Sequence, residues 1–168
     1  KLRVKHDLWY QAFEKQERNK VWLDGKKYLM LSSNDYLGLG FDLRVKEAAK
    51  EALDIWGTSP TGSRFANGSR NYHKELEEQL ADFLGKESCH VHSAGYLSCV
   101  ASVSCFVSKG DVALVDRNVH SSLWEGLKLS MATIEKFRHN NPASLEEELS
   151  FVSADRKKML VAEGVYSM

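Results

Sequence analysis

An α/β fold, a mainly parallel sheet flanked by helices, is predicted by this 168-residue sequence on three observations. From residue 88 onward, strand-like and helix-like pieces alternate: "SCHVHS", "YLSCVASVSCFVS", "DVALVD", "SSLWEGLKLS", "ATIEKF", "SLEEELSFV" and "KMLVAEG". That alternation is the signature of parallel strands joined by helical crossovers. Two amphipathic helices with stop signals precede it, and the length is one ordinary domain's worth of chain, enough to bury a core.

Taken in order, Leu8, Trp9, Ala12 and Phe13 fall at helical spacing and predict a short amphipathic helix over residues 7–18. In "VWLDGKKYLMLSS" the pair Asp24-Gly25 stands between two β-rich runs, the chemistry of a two-residue hairpin turn, so a small ribbon is expected. Asp42 is placed to cap a helix whose Val45, Ala48, Ala49, Ala52, Leu53 and Trp56 share one face, with Gly57 just past its end. "YHKELEEQLADFLG" repeats the design with Leu76, Leu80, Phe83 and Leu84 and stops at Gly85. No low-complexity tract, linker or internal repeat interrupts the chain.

Lys plus Arg (23) balances Asp plus Glu (23), so no net field favours a nucleic acid or an anionic membrane surface as partner. No apolar run approaches the ~18 residues of a membrane span, and the first residues lack the apolar core of a signal peptide. Cys89, Cys99 and Cys105 are odd in number and lack metal-ligand spacing. They read as buried free thiols, which fits a cytoplasmic protein. His73, His90, His92 and His139 read as structural, because a lone H-x-H pair does not make a metal site.

The stretch "SAGYLSCVAS" joins an expected strand to an expected helix through Ala94-Gly95. Ligands of such sheets gather at the carboxyl ends of strands, where helix N-termini present free N–H groups and the positive end of a dipole. A phosphate fits there, although the same residues also serve as a tight connection. Asp116 ends the next strand, yet the G-x-G-x-x-G pattern of a dinucleotide site is absent.

The ordered set "SSNDYLGLG", "GTSPTGSRFANGS", "HKELEEQLADFLG", "HSAGYLS", "GDVALVDRNVHSSLWEG", "KFRHNN" and "VAEGVYSM" resembles the α-oxoamine synthases. These pyridoxal-phosphate (PLP) enzymes of the fold type I, class II aminotransferase-like group condense an amino acid with an acyl thioester and release carbon dioxide. The resemblance implies an amino-terminal helix and β-ribbon segment over residues 1–40. Residues 41–168 would then be the first part of the PLP-binding large domain.

It also implies site residues. Gly95 and Tyr96 cradle the cofactor's phosphate, His120 stacks on its ring, Ser167 approaches its phenolic oxygen, and Glu163 ends the neighbouring strand. Asn34 binds the substrate carboxylate. Ser63 stands where glycine-using members tend to carry Thr, so it leaves room for alanine or serine. Two departures are visible: Cys99 replaces a common Asn, and Val119 separates Asn118 from His120.

The family's Schiff-base lysine, its ring-nitrogen aspartate and a further histidine all fall, in family order, beyond Met168. The expectation is an amino-terminal part of a longer homodimeric enzyme, inactive by itself. Its favoured substrates are alanine and a pimeloyl thioester carried by coenzyme A or acyl-carrier protein, giving 8-amino-7-oxononanoate. A serine-using, sphingoid-base type and a glycine C-acetyltransferase remain open within the class. A truncated, non-catalytic chain is the alternative of another class.

Overall fold

Asp24 and Gly25 both adopt positive φ, 51° and 70°, the pair of left-handed conformations that a type I′ turn requires and that twists correctly into the flanking strands. In this computed structural model the turn joins β2 (Lys20–Leu23) to β3 (Lys26–Leu29) in antiparallel register, Val21 opposite Tyr28. The structure describes residues 10–166, and the chain divides into two compact units, Lys1–Arg70 and Asn71–Met168.

The helix expected over residues 7–18 does not form across its described part. Residues 10–14 are irregular and Lys15–Glu17 is a third strand, β1, paired antiparallel with β2. Pairing overrides the local periodicity: Glu14 donates its N–H to the Trp22 carbonyl at 2.9 Å, and its carboxylate accepts the Gly25 N–H at 3.1 Å. Residues 7–9 of the expected helix lie outside the described residues.

Beyond a short 3-10 turn, Leu39–Phe41, helix α1 spans Leu43–Trp56. Asp42 caps it by accepting the Arg44 N–H at 2.9 Å, and the Gly57 N–H closes it on the Leu53 carbonyl, as the sequence predicts. The loop over residues 60–70 winds tightly around one carbonyl, that of Ser63, which accepts N–H groups from Ala66, Asn67 and Gly68. The Arg70 guanidinium fastens the loop by donating to the carbonyls of Pro60, Asn67 and Ser69.

The second unit holds α2 (Asn71–Phe83), α3 (Gly95–Phe106), β4 (Val112–Asp116), α4 (Ser121–Ser130), β5 (Thr133–Phe137), α5 (Pro142–Ser150) and β6 (Lys158–Val161). Its sheet is parallel with strand order β5-β4-β6. Every residue of β4 is buried, which explains its unbroken apolar run before Asp116. Val103, Val107, Ala113, Val115, Val119, Leu127 and Val161 form the core between sheet and helices. At Gly126 a Cβ would lie 2.8 Å from the Val100 carbonyl oxygen and 2.9 Å from the Val103 Cβ, so a side chain there would push α3 and α4 apart.

Arg156 ties the other edge of the sheet, donating to the carbonyls of Gly110 and Asp111 and to the Thr133 hydroxyl. The expected strand "SCHVHS" is absent; residues 88–92 form no ladder. A strand needs a neighbour for its backbone groups, and here the Val91 N–H goes instead to the Glu77 carboxylate at 2.8 Å. The three cysteines are free, Cys89 and Cys99 half-buried and Cys105 exposed rather than buried.

Candidate functional site

From β4 the chain passes to β5 on one side, and from β5 it crosses to β6 on the other side of β4. This reversal of direction opens a crevice at the carboxyl ends of the strands, the usual ligand position in parallel sheets. Asp116 ends β4, and His120, His139, Glu163 and Tyr166 all follow the carboxyl end of a strand.

Helix α3 begins at Gly95 after Ala94, whose backbone is extended and whose side chain offers no cap. The first-turn N–H groups have no carbonyl within the helix. A Cβ built on Gly95 meets no heavy atom within 4 Å, so the approach to this backbone is open. The Tyr96 ring stands edge-on to the His120 ring, with centroids 6.1 Å apart and planes at 78°. An anion seat and a flat side chain therefore lie side by side.

His120 is the N-cap of α4. Its Nδ1 accepts the Ser122 N–H at 3.2 Å and lies 2.8 Å from the Ser122 hydroxyl. A backbone N–H can only donate, so Nδ1 is the acceptor and a neutral ring carries its proton on Nε2. The His120 N–H donates to Glu163 Oε2 at 2.6 Å, which clasps the start of α4 to the segment after β6. Glu163 thus meets His120 through the backbone.

Beside this clasp is a cluster that sequence reasoning left as structural. Asp116 is 2% exposed and accepts N–H groups from Asn118 at 2.9 Å and Asn140 at 3.1 Å. It also accepts from His139 Nδ1 at 3.0 Å. The Tyr166 ring stands edge-on to His139 with centroids 4.5 Å apart. Burial pushes the Asp116 carboxyl up, but these hydrogen bonds outweigh it and hold the group below the usual carboxylate range. For Tyr166, the Glu163 N–H lowers the phenol, yet burial and the neighbouring Asp116 carboxylate raise it further, to a net value above the usual one. The available signal was "DRNVH" followed by "RHNN" and "EGVYS": three polar runs, each just past a strand.

The structure brings Gly95, Tyr96, His120 and Glu163 together, and Ser167 lies outside the described residues. Asn34 and Ser63 belong to the first unit. The Asn34 amide oxygen accepts from the Tyr36 phenol at 3.3 Å, and the Ser63 hydroxyl accepts the Phe65 N–H at 3.3 Å. Both sit in tight turns. Among the described residues no group of three or more His, Cys, Asp or Glu is placed to hold a metal ion. No described helix is long and apolar enough to cross a membrane.

A family model for aminotransferase class I and II matches residues 26–168. A serine palmitoyltransferase of Sphingobacterium spiritivorum is 37% identical over 95% of this chain and 40% of its own. An 8-amino-7-oxononanoate synthase of Lysinibacillus sphaericus is 37% identical over 94% of this chain and 41% of its own. Among solved structures, a serine palmitoyltransferase variant of S. paucimobilis with bound PLP–myriocin aldimine superposes with a TM-score of 0.91 at 34% identity. It covers 94% of this chain and 40% of that one. The chain thus spans about 40% of the length of these relatives.

Proposed function

The chain belongs to the class I and II aminotransferase family, among its α-oxoamine synthases, and on that premise we propose that it binds PLP and serves the decarboxylative condensation of an amino acid with an acyl thioester. The observation that carries the reading is the uncapped start of α3 beside the paired rings of Tyr96 and His120. The donor set suits the cofactor: N–H groups and a helix dipole for its phosphate, and a flat ring for its pyridine. When bound, PLP supplies an electron sink that eases removal of a group from the amino acid's α-carbon.

The chain's own residues then have distinct tasks. Gly95 and Tyr96 hold the phosphate through their backbone. His120 would cover one ring face and keep water from it, while Glu163 fixes the residue by its backbone. Asn34 binds the amino acid's carboxylate with a neutral amide, and Ser63 admits a side chain larger than glycine's hydrogen. Ser167 approaches the phenolic oxygen of the cofactor. No lysine of this chain is assigned to the Schiff base.

Alanine and serine are both amino-acid partners under this reading, since relatives named for either chemistry match the chain about equally. The thioester is carried by coenzyme A or an acyl-carrier protein. Homodimer formation and a cytoplasmic setting complete the proposal, supported by the family resemblance and the free cysteines.

Replacing His120 by Ala is expected to weaken PLP binding about tenfold, the worth of one aromatic contact in a partly wet site. His120→Phe, which keeps a flat ring, is expected to recover most of it. Fluorescence titration with PLP measures both. Equal affinity of His120→Ala and the native chain would remove His120 from the site.

A further inference from the structure

The two clusters at the carboxyl edge of the sheet share one residue. The Tyr166 ring stands edge-on to His139, which donates to Asp116, and its phenol oxygen accepts the Glu163 N–H at 3.3 Å, while the Glu163 carboxylate accepts the His120 N–H at 2.6 Å. The chain of contacts therefore runs from the buried carboxylate at the end of β4, through the His139 and Tyr166 rings and Glu163, to the backbone of the histidine that caps α4. Tyr166 also packs against the core and against the His139 ring, so the oxygen is held by a fixed ring.

We propose that Tyr166 is a positioning residue: its hydroxyl fixes the segment after β6 so that Glu163 reaches His120, and through that clasp it sets the placement of His120 at the start of α4. The physical need is plain. Two residues, Gly164 and Val165, separate Glu163 from Tyr166, the segment has no regular structure, and a carboxylate on such a segment is held only if its backbone is anchored. The Glu163 N–H supplies the anchor point and the Tyr166 oxygen receives it. Asp116, which accepts from Asn118, Asn140 and His139, holds still the His139 ring on which Tyr166 rests. The assignment deepens the reading of His120 as a cofactor residue and rests on it for its consequence, but the coupling itself involves no cofactor.

The test uses the isotope-labelled protein without cofactor. In the native chain the Glu163 and His120 amides are expected to exchange with solvent deuterium at matching protection, because they open as one unit. Imidazole nitrogen spectra should show His120 with its proton on Nε2. In Tyr166→Phe, which keeps the ring, both protections should fall together by roughly two- to tenfold, the population change set by one net hydrogen bond. Glu163→Ala should reproduce the His120 changes, whereas Glu163→Gln, which keeps an acceptor oxygen, should leave them near native.

Tyr166→Phe that loosens Glu163 alone, with the His120 protection intact, would overturn the proposal. So would native amides whose protections differ by more than about tenfold, a result that stands even if the variant fails to fold. Failure of PLP to bind leaves all of these readouts in place and counts against the cofactor reading instead.

Discussion

Asp116→Ala is expected to be the most destabilising single change in the second unit, costing about 3–5 kcal/mol. The residue is 2% exposed and its carboxylate receives the Asn118 and Asn140 N–H groups and His139 Nδ1–H. Alanine would leave those donors facing an apolar void at the end of the central strand. Solvent could reach only part of it. Denaturant titration of the two proteins measures the loss, and a difference under about 1 kcal/mol would show that the cluster is ornamental to the fold.

The same residue predicts an acid limb. Its folded carboxyl lies below its ordinary value, so its contribution is fully present above the unfolded value of about 4 and is lost as pH falls through the depressed folded value. The native chain should therefore lose stability over that window more steeply than Asp116→Ala, which has no such group.

Gly95→Asp is expected to separate stability from binding. A Cβ at Gly95 meets nothing within 4 Å and its φ is not positive, so the side chain enters without strain. A carboxylate in the first turn of α3 also favours the helix dipole, by about 0.3–1 kcal/mol. The same carboxylate occupies the space where a phosphate would sit and repels it. PLP affinity should fall about a hundredfold or more while the melting temperature stays level or rises, since charge repulsion in a partly dehydrated seat exceeds the worth of a single hydrogen bond. Paired losses of affinity and stability would mean that Gly95 serves packing instead.

Much of this site was legible because its residues occupy predictable junctions. Asp42, Gly57 and the Asp24-Gly25 turn carry their conformations in their side chains or lack of them, and the fully apolar β4 could only be a buried strand. The helix starts at Gly95 and Ser121 follow from the alternation of strand-like and helix-like pieces. What the sequence hid was pairing. Lys15–Glu17 joins β2 against its own helical spacing, and "SCHVHS" lacks a strand's partner despite its β-rich composition. The Asp116, His139 and Tyr166 cluster was hidden for a related reason: its members come from three strands, 23 and 50 residues apart in the chain, and only the strand order β5-β4-β6 makes them neighbours.

The central claim is that this chain seats PLP at the start of α3 without bonding it covalently. Titration with PLP, followed by borohydride reduction, digestion and mass analysis, tests it most directly. Saturable binding that inorganic phosphate displaces, with no lysine labelled in stoichiometric amount, is the predicted result. One lysine of residues 1–168 labelled stoichiometrically, or no saturable binding at all, would contradict it.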